Sequence, residues 1–501
     1  MTRMGCLHTL VLLLMSAGAS QAQLKDDSNI RQSVVRIVAT QRLPNWLHPW
    51  QSQGPERVFG TGAVIEGNRI LTNAHLVMYA TQVDVQPLQA ADTLPAKVVG
   101  LAPEMDLAVL AVDDEAFFEA RPTLTMAGDL PSIRETVSAY GYPIGGVGLS
   151  ITRGTVSRIE FGTYAYGETG LRIEISAAVN PGNSGGPAIV NDQMVGLVFG
   201  VAVPAQNTAY LIPAEEIRLF LEDIRDGRYD GKPRFWEDVQ LLRNHSLRAS
   251  LGLPKSTTGV LVRDPYSSDA DYPLKKGDVI TAVGEHQIDN VGMVRVDDNL
   301  RLAFPYLLPK LARQDKVSLN IIRQCKSITV DYPARQTHMP LLRYLKEGKP
   351  SYFIWGPLAF SSATGELIDS LETLAPYLSA VWALRSSPLI TRRNDFLAFE
   401  GEELVVVTSM FPHRISDGYT NATGQVVSHV NGVPIRNLHH LVETLRDSND
   451  RFVEFEFADK YVETLIFNRN EAQAATAEIL VDNGIREQVS KDLRDVWRKA
   501  K

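Results

Sequence analysis

Cysteine is scarce in this chain of 501 residues, which contains only two. Cys6 belongs to an N-terminal segment that we expect to be removed, so Cys325 would have no partner for an intrachain disulfide. We expect Cys325 to be a solvent-exposed thiol in a hairpin turn. An exported protein of this length without disulfides must rely on core packing, which favours a bacterial periplasm over the extracellular space.

The chain also lacks an excess of positive charge, because its formal net charge is −8 at pH 7. This balance gives no indication of nucleic-acid binding. The glycines within residues 145–148 are not followed by the Gly-Lys-Ser/Thr of a phosphate loop. His439, His440 and Glu443 do not have the spacing of a zinc protease. We therefore expect no metal and no other cofactor.

Long apolar runs are missing as well. The N-terminal run Leu7–Met15 is much shorter than the roughly 20 residues of a membrane-spanning helix. It follows Arg3 and precedes small residues, of which Ser20 and Ala22 fit the positions before a cleavage site. We predict a signal peptide over residues 1–22 and a periplasmic protein that is not membrane-associated after cleavage. The alternative is an uncleaved N-terminus that acts as an anchor.

Three short motifs are the most informative features that are present. Ser184 lies in the glycine-rich string Gly182–Pro187, where backbone N–H groups can approach a reacting carbonyl. His75 ends the string Leu-Thr-Asn-Ala-His, and Asp106 precedes an apolar, strand-like segment. The order His, Asp, Ser is that of chymotrypsin-like double-barrel serine proteases.

These residue types together suit acyl transfer. A serine hydroxyl is a poor nucleophile unless a base accepts its proton and a carboxylate orients that base. We predict Ser184 as the nucleophile, His75 as general base and then acid, and Asp106 as the orienting carboxylate. The backbone N–H groups of Gly182 and Ser184 are predicted to form the oxyanion hole. The alternative carboxylates are Asp84 and Asp92.

Turn and strand signals divide the chain into three units. Short strands separated by turns continue to about residue 203, as in all-β barrels, and a helix follows from Pro213. We predict a trypsin-like protease domain over residues 28–228 and further units over residues 234–340 and 350–470. Residues 471–501 are predicted to form a helical tail.

The motifs resemble those of a known family. Thr72–His75, Asp106–Leu110 and Gly182–Pro187 look like the corresponding strings of the HtrA/Deg serine proteases. Gly141–Gly146 and Lys349–Ile354 resemble the plant Deg-type branch and its bacterial relatives. The resemblance implies a mainly β protein, with a chymotrypsin-like double β-barrel followed by two PDZ-like α+β domains.

The resemblance also implies an activity. Members of the family are ATP-independent serine endopeptidases that degrade unfolded or damaged proteins and assemble into trimers or multiples of trimers. By the same resemblance, the loop from Phe161 to Thr169 would be a regulatory sensor, and the alternative is an ordinary hairpin tip. Asn183 cannot form the ion pair that activates chymotrypsin-type zymogens, so we expect no activation by propeptide cleavage.

Specificity is predicted from one strand. Met194–Gly200 should line the primary specificity pocket and contains no acid that could pair with a basic substrate side chain. We therefore expect cleavage after small or medium apolar residues.

PDZ domains capture an extended C-terminus and hold its carboxylate with backbone N–H groups of a short loop. In the third unit we assign this peptide-binding role to Trp355, Gly356 and Leu358, although Pro357 removes one donor. In the second unit the matching stretch, Phe235–Glu237, has no glycine and carries an acid. We expect that unit to pack against the protease domain or a neighbouring subunit instead.

Two other functions remain open at this point. The chain could be a non-proteolytic holdase or PDZ scaffold with an idle barrel, or a processing protease of narrow specificity.

Overall fold

The computed structural model describes residues 27–146, 148–164, 166, 168–201, 208–335 and 339–499. The predicted signal peptide at 1–22 and Cys6 lie outside the described residues. The described residues form two closed β-barrels followed by two units of mixed strands and helices. The predicted mainly β fold with a double barrel is thereby confirmed.

The first barrel closes through six antiparallel strands in the order β1-β2-β3-β6-β5-β4. Its interior is filled by β-branched and leucine side chains, such as Val35, Ile37, Ile70 and Leu110, none of which is exposed. The strands are β1 Val34–Gln41, β2 Glu56–Ile65, β3 Arg69–Thr72, β4 Ala80–Gln86, β5 Leu94–Ala102 and β6 Leu107–Val112. The helices of this part are α1 Ser28–Gln32, α2 Ala74–Val77 and α3 Ala116–Glu119.

The second barrel closes in the order β10-β11-β12-β9-β8-β7, so two similar barrels lie side by side. Its strands are β7 Thr136–Gly141, β8 Ser150–Thr163, β9 Thr169–Ile175, β10 Pro187–Val190, β11 Gln193–Val201 and β12 Ala209–Pro213. Helix α4, Ala214–Asp223, follows directly and buries Ile217 and Phe220, as its apolar spacing predicts.

The middle unit, residues 234–335, contains one larger antiparallel sheet in the order β13-β14-β15-β19-β20, a short strand on β15, and a two-stranded ribbon. Its elements are β13 Asp238–Leu241, α5 His245–Ser250, β14 Val260–Asp264, β15 Val279–Val283, β16 His286–Gln287, β17 Met293–Arg295, β18 Arg301–Ala303, α6 Leu308–Leu311, β19 Lys316–Arg323 and β20 Lys326–Pro333. Its buried side chains join those of the second barrel in one apolar cluster, so the unit packs against the protease domain.

The C-terminal unit, residues 339–499, has two sheets with helices around them. Its strands are β21 Tyr352–Trp355, β22 Leu358–Ser362, β23 Val405–Met410, β24 Val427–Val430, β25 Val433–Pro434, β26 Phe452–Phe457 and β27 Leu465–Asn468. Its helices are α7 Gly365–Leu374, α8 Leu378–Leu384, α9 Pro388–Thr391, α10 Leu438–Asp447, α11 Arg469–Asp482 and α12 Arg494–Arg498.

The predicted tail at 471–501 is helical in α11 and α12 but is not a separate appendage. Between the two helices the chain runs alongside β21: Ile354 N–H donates to Gln488 O at 2.9 Å, and Ser490 N–H donates to Tyr352 O at 3.0 Å. The ring of Trp497 lies 4.9 Å from that of Phe353. The C-terminal unit therefore extends beyond the predicted boundary at residue 470.

A loop of the first barrel reaches into the C-terminal unit. Trp46, in the connection between β1 and β2, is buried in the same apolar cluster as Leu367 and Trp382. Trp50 lies 5.9 Å from Tyr352 and 5.6 Å from Phe411, measured between ring centroids. The protease domain and the C-terminal unit thus share an apolar core.

Candidate active site

His75 and Asp106 lie against each other in the first barrel. Nδ1 of His75 is 2.8 Å from Oδ2 and 2.9 Å from Oδ1 of Asp106. The backbone N–H of His75 also donates to Oδ1 at 2.9 Å. The two alternative carboxylates lie elsewhere. Asp84 on β4 accepts a hydrogen bond from the side chain of Gln82, and Asp92 is exposed in a loop. Of the three candidate carboxylates, Asp106 is the one that can orient the imidazole.

Two neighbours hold this pair, and sequence reasoning did not assign them a role. The side chain of Asn73 donates to the backbone carbonyl of Asp106 at 2.9 Å, and Gln41 Nε2 donates to the carbonyl of His75 at 2.6 Å. Asp106 has φ of 54°, an uncommon left-handed conformation for a residue that is not glycine. Asn73 belongs to the same short string as His75, and this position is the sequence feature that could have indicated its role.

The pKa of His75 is raised above its usual value of 6.5. Burial by itself would lower the pKa, but the charge of Asp106 and the hydrogen bond to it favour the protonated ring more strongly. The imidazole side chain is 44% exposed and the Asp106 side chain 11% exposed. The histidine is therefore accessible to substrate while its partner is shielded from water.

Ser184 lies on a tight turn before β10, in the second barrel. Gly182 and Gly185 have φ of 101° and 81°, in the region that favours glycine. A Cβ on Gly182 would lie 2.4 Å from the carbonyl oxygen of Tyr142, so no side chain fits there. Within the described part of the chain, the N–H groups of Gly182 and Ser184 donate to no other backbone group. Neither N–H is therefore committed to a backbone carbonyl, as an oxyanion donor requires.

The structure brings the Ser184 turn and the His75–Asp106 pair to the two sides of the contact between the barrels. Thr61 on β2 of the first barrel donates its N–H to the carbonyl of Ser184 at 2.8 Å. No hydrogen bond from the Ser184 hydroxyl to His75 is present among the described residues. Such bonds are often long in the absence of substrate, so the arrangement is compatible with a resting protease site.

Strand β11 runs beside the serine. Gly185 N–H donates to Val198 O at 2.8 Å, and Val198 N–H donates to Gly186 O at 2.9 Å. The predicted pocket strand at 194–200 is largely buried, and its Phe199 ring lies 5.4 Å from that of Tyr164. Residues 202–207, which follow it, are outside the described part.

The described residues of the predicted sensor loop at 161–169 lie at the tip of the β8–β9 hairpin, and some of them contact other parts of the chain. The hydroxyl of Tyr166 lies 3.9 Å from the sulfur of Met78, three residues after His75. Glu168 is buried and pairs with Arg234 at 3.1 Å, at the start of the middle unit. Burial raises the pKa of Glu168, although Arg234 opposes this.

The stretch Phe235–Glu237 of the middle unit is already engaged. Trp236 N–H donates to the hydroxyl of Tyr332 at 2.9 Å, and buried Glu237 accepts from Tyr266 N–H at 2.7 Å. The ring of Phe396, from the C-terminal unit, lies 4.8 Å from that of Tyr266. The N–H of Trp236 and the carboxylate of Glu237 are thus engaged in contacts within the protein.

The residues to which we assigned peptide binding, Trp355, Gly356 and Leu358, are buried. Trp355 ends β21, Leu358 begins β22, and Gly356 lies in the turn between them. The N–H of Gly356 donates to Oγ1 of Thr476 at 2.7 Å. Strand β22 is paired on both sides, with β21 and β23, so a peptide cannot add to an edge of β22. The structure thus corrects the assignment, because α11 occupies the donor that a carboxylate would need.

The described ranges contain no cluster of three or more His, Cys, Asp or Glu residues suited to a metal ion. No helix in these ranges has the length and apolar character that a membrane span requires. Cys325 is exposed, in the turn between β19 and β20, as predicted.

Comparison with known protein families assigns two parts of the chain. Residues 60–201 match the family model of the trypsin-like peptidase domain, and residues 343–492 match that of the PDZ domain. The second match includes the segment that runs alongside β21, in agreement with the observed extent of the C-terminal unit.

Sequence similarity to curated relatives extends over almost the whole chain. The chain is 35% identical over 481 residues to Protease Do-like 2, chloroplastic, of Arabidopsis thaliana, covering 94% of this chain and 77% of the relative. It is 32% identical over 451 residues to Protease Do-like 4, mitochondrial, of the same plant, covering 89% and 83%. Among solved structures, an HtrA-type protease, AlgWS227A with decapeptide, matches with a TM-score of 0.48 at 22% identity, covering 61% of this chain and 95% of that one.

Proposed function

The chain belongs to the HtrA/Deg family of Do-like proteases and is a serine endopeptidase, and we propose that Ser184, His75 and Asp106 are its catalytic residues. The observation that carries the proposal is the double contact of Asp106 with the ring and the backbone N–H of His75. This contact fixes the ring with Nδ1 toward the carboxylate and leaves Nε2 for the serine.

The proposed reaction is peptide-bond hydrolysis in two steps. The Ser184 hydroxyl attacks the substrate carbonyl while His75 Nε2 accepts its proton, and Asp106 stabilises the resulting imidazolium. The N–H groups of Gly182 and Ser184 hold the negative oxygen of the tetrahedral intermediate. His75 then gives the proton to the departing amine. A water deprotonated by His75 hydrolyses the acyl-enzyme and restores Ser184.

We further propose that the protein is exported to a periplasm, where it degrades unfolded or damaged proteins without ATP. The N-terminal sequence supports export, and the acid-free strand β11 supports cleavage after small or medium apolar residues, which misfolded proteins expose. By family resemblance, a trimer or a multiple of it is the proposed assembly.

The PDZ-like units are proposed to act in regulation and assembly. The middle unit is packed on the second barrel through one apolar cluster. The C-terminal unit contacts the first barrel through Trp46 and Trp50. These contacts favour a role in holding the protease domain over capture of peptides at Trp355–Leu358.

The proposal is tested by degradation of unfolded casein by the chain from Gln23, with Ser184→Ala as the variant. The matched control is Ser250→Ala, which removes an exposed hydroxyl at the end of α5. We expect many peptides from the parent and the control, and a loss of up to about 10⁶-fold in rate for Ser184→Ala.

Other results of the casein experiment would contradict this function or indicate a different one. A Ser184→Ala variant as active as the parent would refute the assigned nucleophile. An inactive parent that suppresses aggregation equally well as Ser184→Ala would indicate a holdase. Cleavage of one protein but not of casein would indicate a narrow processing protease. Export is checked separately by N-terminal sequencing of the protein from cell fractions, and a cytoplasmic chain beginning at Met1 would contradict it.

A further inference from the structure

Thr61 on β2 is completely buried, and each of its polar atoms forms a hydrogen bond. Its N–H donates to Ser184 O at 2.8 Å, and its carbonyl accepts from the hydroxyl of Thr72 at 2.7 Å. Its own hydroxyl donates to Gly182 O at 2.8 Å and accepts from Tyr142 N–H at 2.9 Å. One residue of the first barrel thus contacts both residues proposed to form the oxyanion hole in the second.

The two contacts fix the turn at both ends. Gly182 adopts a left-handed φ of 101°. Its carbonyl accepts a hydrogen bond from the Thr61 hydroxyl, which holds the peptide plane between Gly182 and Asn183 in place. The bond from Thr61 N–H to Ser184 O fixes the peptide plane after the nucleophile. Both oxyanion donors therefore belong to residues whose carbonyls are held by Thr61.

The hydroxyl has a chemistry that few side chains could replace. It donates to one backbone group and accepts from another at the same atom, which a hydroxyl can do and a methyl group cannot. Valine has the shape of threonine but would leave the Gly182 carbonyl and the Tyr142 N–H without this partner in a buried place. Serine retains the hydroxyl and loses only a methyl group.

We propose that Thr61 is a positioning residue for the oxyanion hole, and that its hydroxyl holds the Gly182–Ser184 turn in the catalytic conformation before substrate binds. This inference rests on the proposed role of Ser184. Preorganised donors stabilise the transition state more than the bound substrate, so loss of the hydroxyl reduces kcat and leaves KM almost unchanged.

The experiment compares Thr61→Val and Thr61→Ser in the full mature chain. The control is Thr408→Val, which removes a buried hydroxyl of the C-terminal unit that donates to Ala359 O at 3.4 Å. The measurements are kcat and KM on a chromogenic peptide with valine before the scissile bond, and the affinity of a peptide aldehyde with the same sequence. The aldehyde adduct with the serine is tetrahedral, so its affinity reports on the oxyanion hole.

For Thr61→Val we expect kcat to fall by about 10- to 100-fold, somewhat less than the loss of an oxyanion donor itself. The affinity of the aldehyde should fall by a similar factor, while KM changes by less than about threefold. Thr61→Ser should keep at least half of the parental kcat. Thr408→Val should leave both kcat and aldehyde affinity unchanged, even where its thermal stability is reduced.

Three results would overturn the inference. The first is a Thr61→Val variant with parental kcat and aldehyde affinity. The second is a Thr61→Ser variant with less than a tenth of parental kcat, a result that stands even if Thr61→Val does not fold. The third is a fall in kcat that the aldehyde affinity does not follow, which would indicate a purely structural role. Activity retained in Ser184→Ala would instead refute the proposed catalytic site itself.

Discussion

The ring of Tyr344, in the C-terminal unit, meets the ring of Tyr166 edge-on, with centroids 4.7 Å apart and planes at 72°. Two residues further along, Lys346 forms an ion pair with Glu104, which precedes Asp106 by two positions. The carboxylate of Glu366 accepts the backbone N–H groups of Leu345 and Lys346 at 3.0 and 2.9 Å. The C-terminal unit thus presents a segment held by Glu366 to the loop and the turn beside His75 and Asp106.

This contact predicts that Tyr344→Ala loosens the hairpin tip at 161–169. An edge-to-face aromatic pair contributes about 0.5–1.5 kcal/mol beyond its buried area. Hydrogen–deuterium exchange of the tip should increase, and kcat/KM should fall by about fivefold or more because the tip is coupled to the site. The control is Tyr461→Ala, because that tyrosine is 90% exposed. Unchanged exchange would contradict the stabilising contact, and increased exchange with parental kcat/KM would contradict the coupling.

The raised pKa of His75 predicts the pH dependence of activity. Because His75 must be neutral to accept a proton, kcat/KM should fall as the pH decreases through a value above 6.5. In Asp106→Asn the causes that raise this pKa are lost and burial remains, so the acid limb should move below 6.5, with kcat about 10⁴-fold lower. Asp113→Asn, at an exposed pair with Lys97, is the control.

The raised pKa of His75 also makes the stability of the folded protein depend on pH. A pKa that is higher in the folded state stabilises the protein at pH values below the unfolded value of about 6.5, and the gain is lost as the pH rises through the folded value. The effect is expected to be small because the imidazole is 44% exposed. A thermal midpoint of Asp106→Asn that falls by the same amount at pH 5 and pH 9 would contradict this linkage.

Gly182→Ala should abolish most of the activity. The added Cβ would lie 2.4 Å from the carbonyl oxygen of Tyr142, and φ of 101° is unfavourable for alanine. The turn must shift, so we expect kcat to fall by about 10²-fold or more. Gly54→Ala, where an added Cβ has no neighbour within 4 Å, serves as the control. Parental kcat in Gly182→Ala would contradict the requirement for glycine in this turn.

The buried pair of Lys232 and Glu216 predicts a stability effect. Their charged atoms are 2.6 Å apart, each side chain is 5% exposed, and Glu216 also accepts Leu171 N–H at 2.7 Å. Lys232→Met leaves a buried carboxylate without its cation and should cost about 3–5 kcal/mol. Calorimetry of the protease domain transition measures this.

The double variant Lys232→Met with Glu216→Gln should recover much of this loss, since glutamine can still accept from Leu171. The exposed pair of Arg225 and Glu222 provides the control, and Arg225→Met should cost less than about 1 kcal/mol. Equal losses in Lys232→Met and Arg225→Met would contradict the buried-pair argument.

Ser184, His75 and Asp106 could be proposed from the sequence because each lies in a short, contiguous string of residues. Ser184 requires glycines on both sides, and their positive φ values are a local property of the turn. The barrel strands were predictable for a similar reason, since alternation and turn residues specify strands locally. The double barrel itself followed from the order of the motifs and from the family resemblance. The pairing of His75 with Asp106, 31 residues away, followed only from the order of the motifs.

The remaining features depend on contacts between distant residues. Thr61 lies 121 positions before Gly182, and nothing in its local sequence indicates that bond. The turn at Gly356 has the composition of a carboxylate-binding loop, but its donor is taken by Thr476, 120 positions later. Local patterns cannot show which distant element occupies a donor, so the peptide-binding assignment and the domain end at residue 470 were not predictable.

The segment that runs alongside β21 implies an order of events during synthesis. Gln488 and Ser490 form hydrogen bonds along β21, and the same unit buries Trp46 from the loop between β1 and β2. The unit that buries Trp46 is thus completed by residues that are synthesised long after it. The barrels can form while the chain is still being made, but this unit can close only after residues 488–490 have been added.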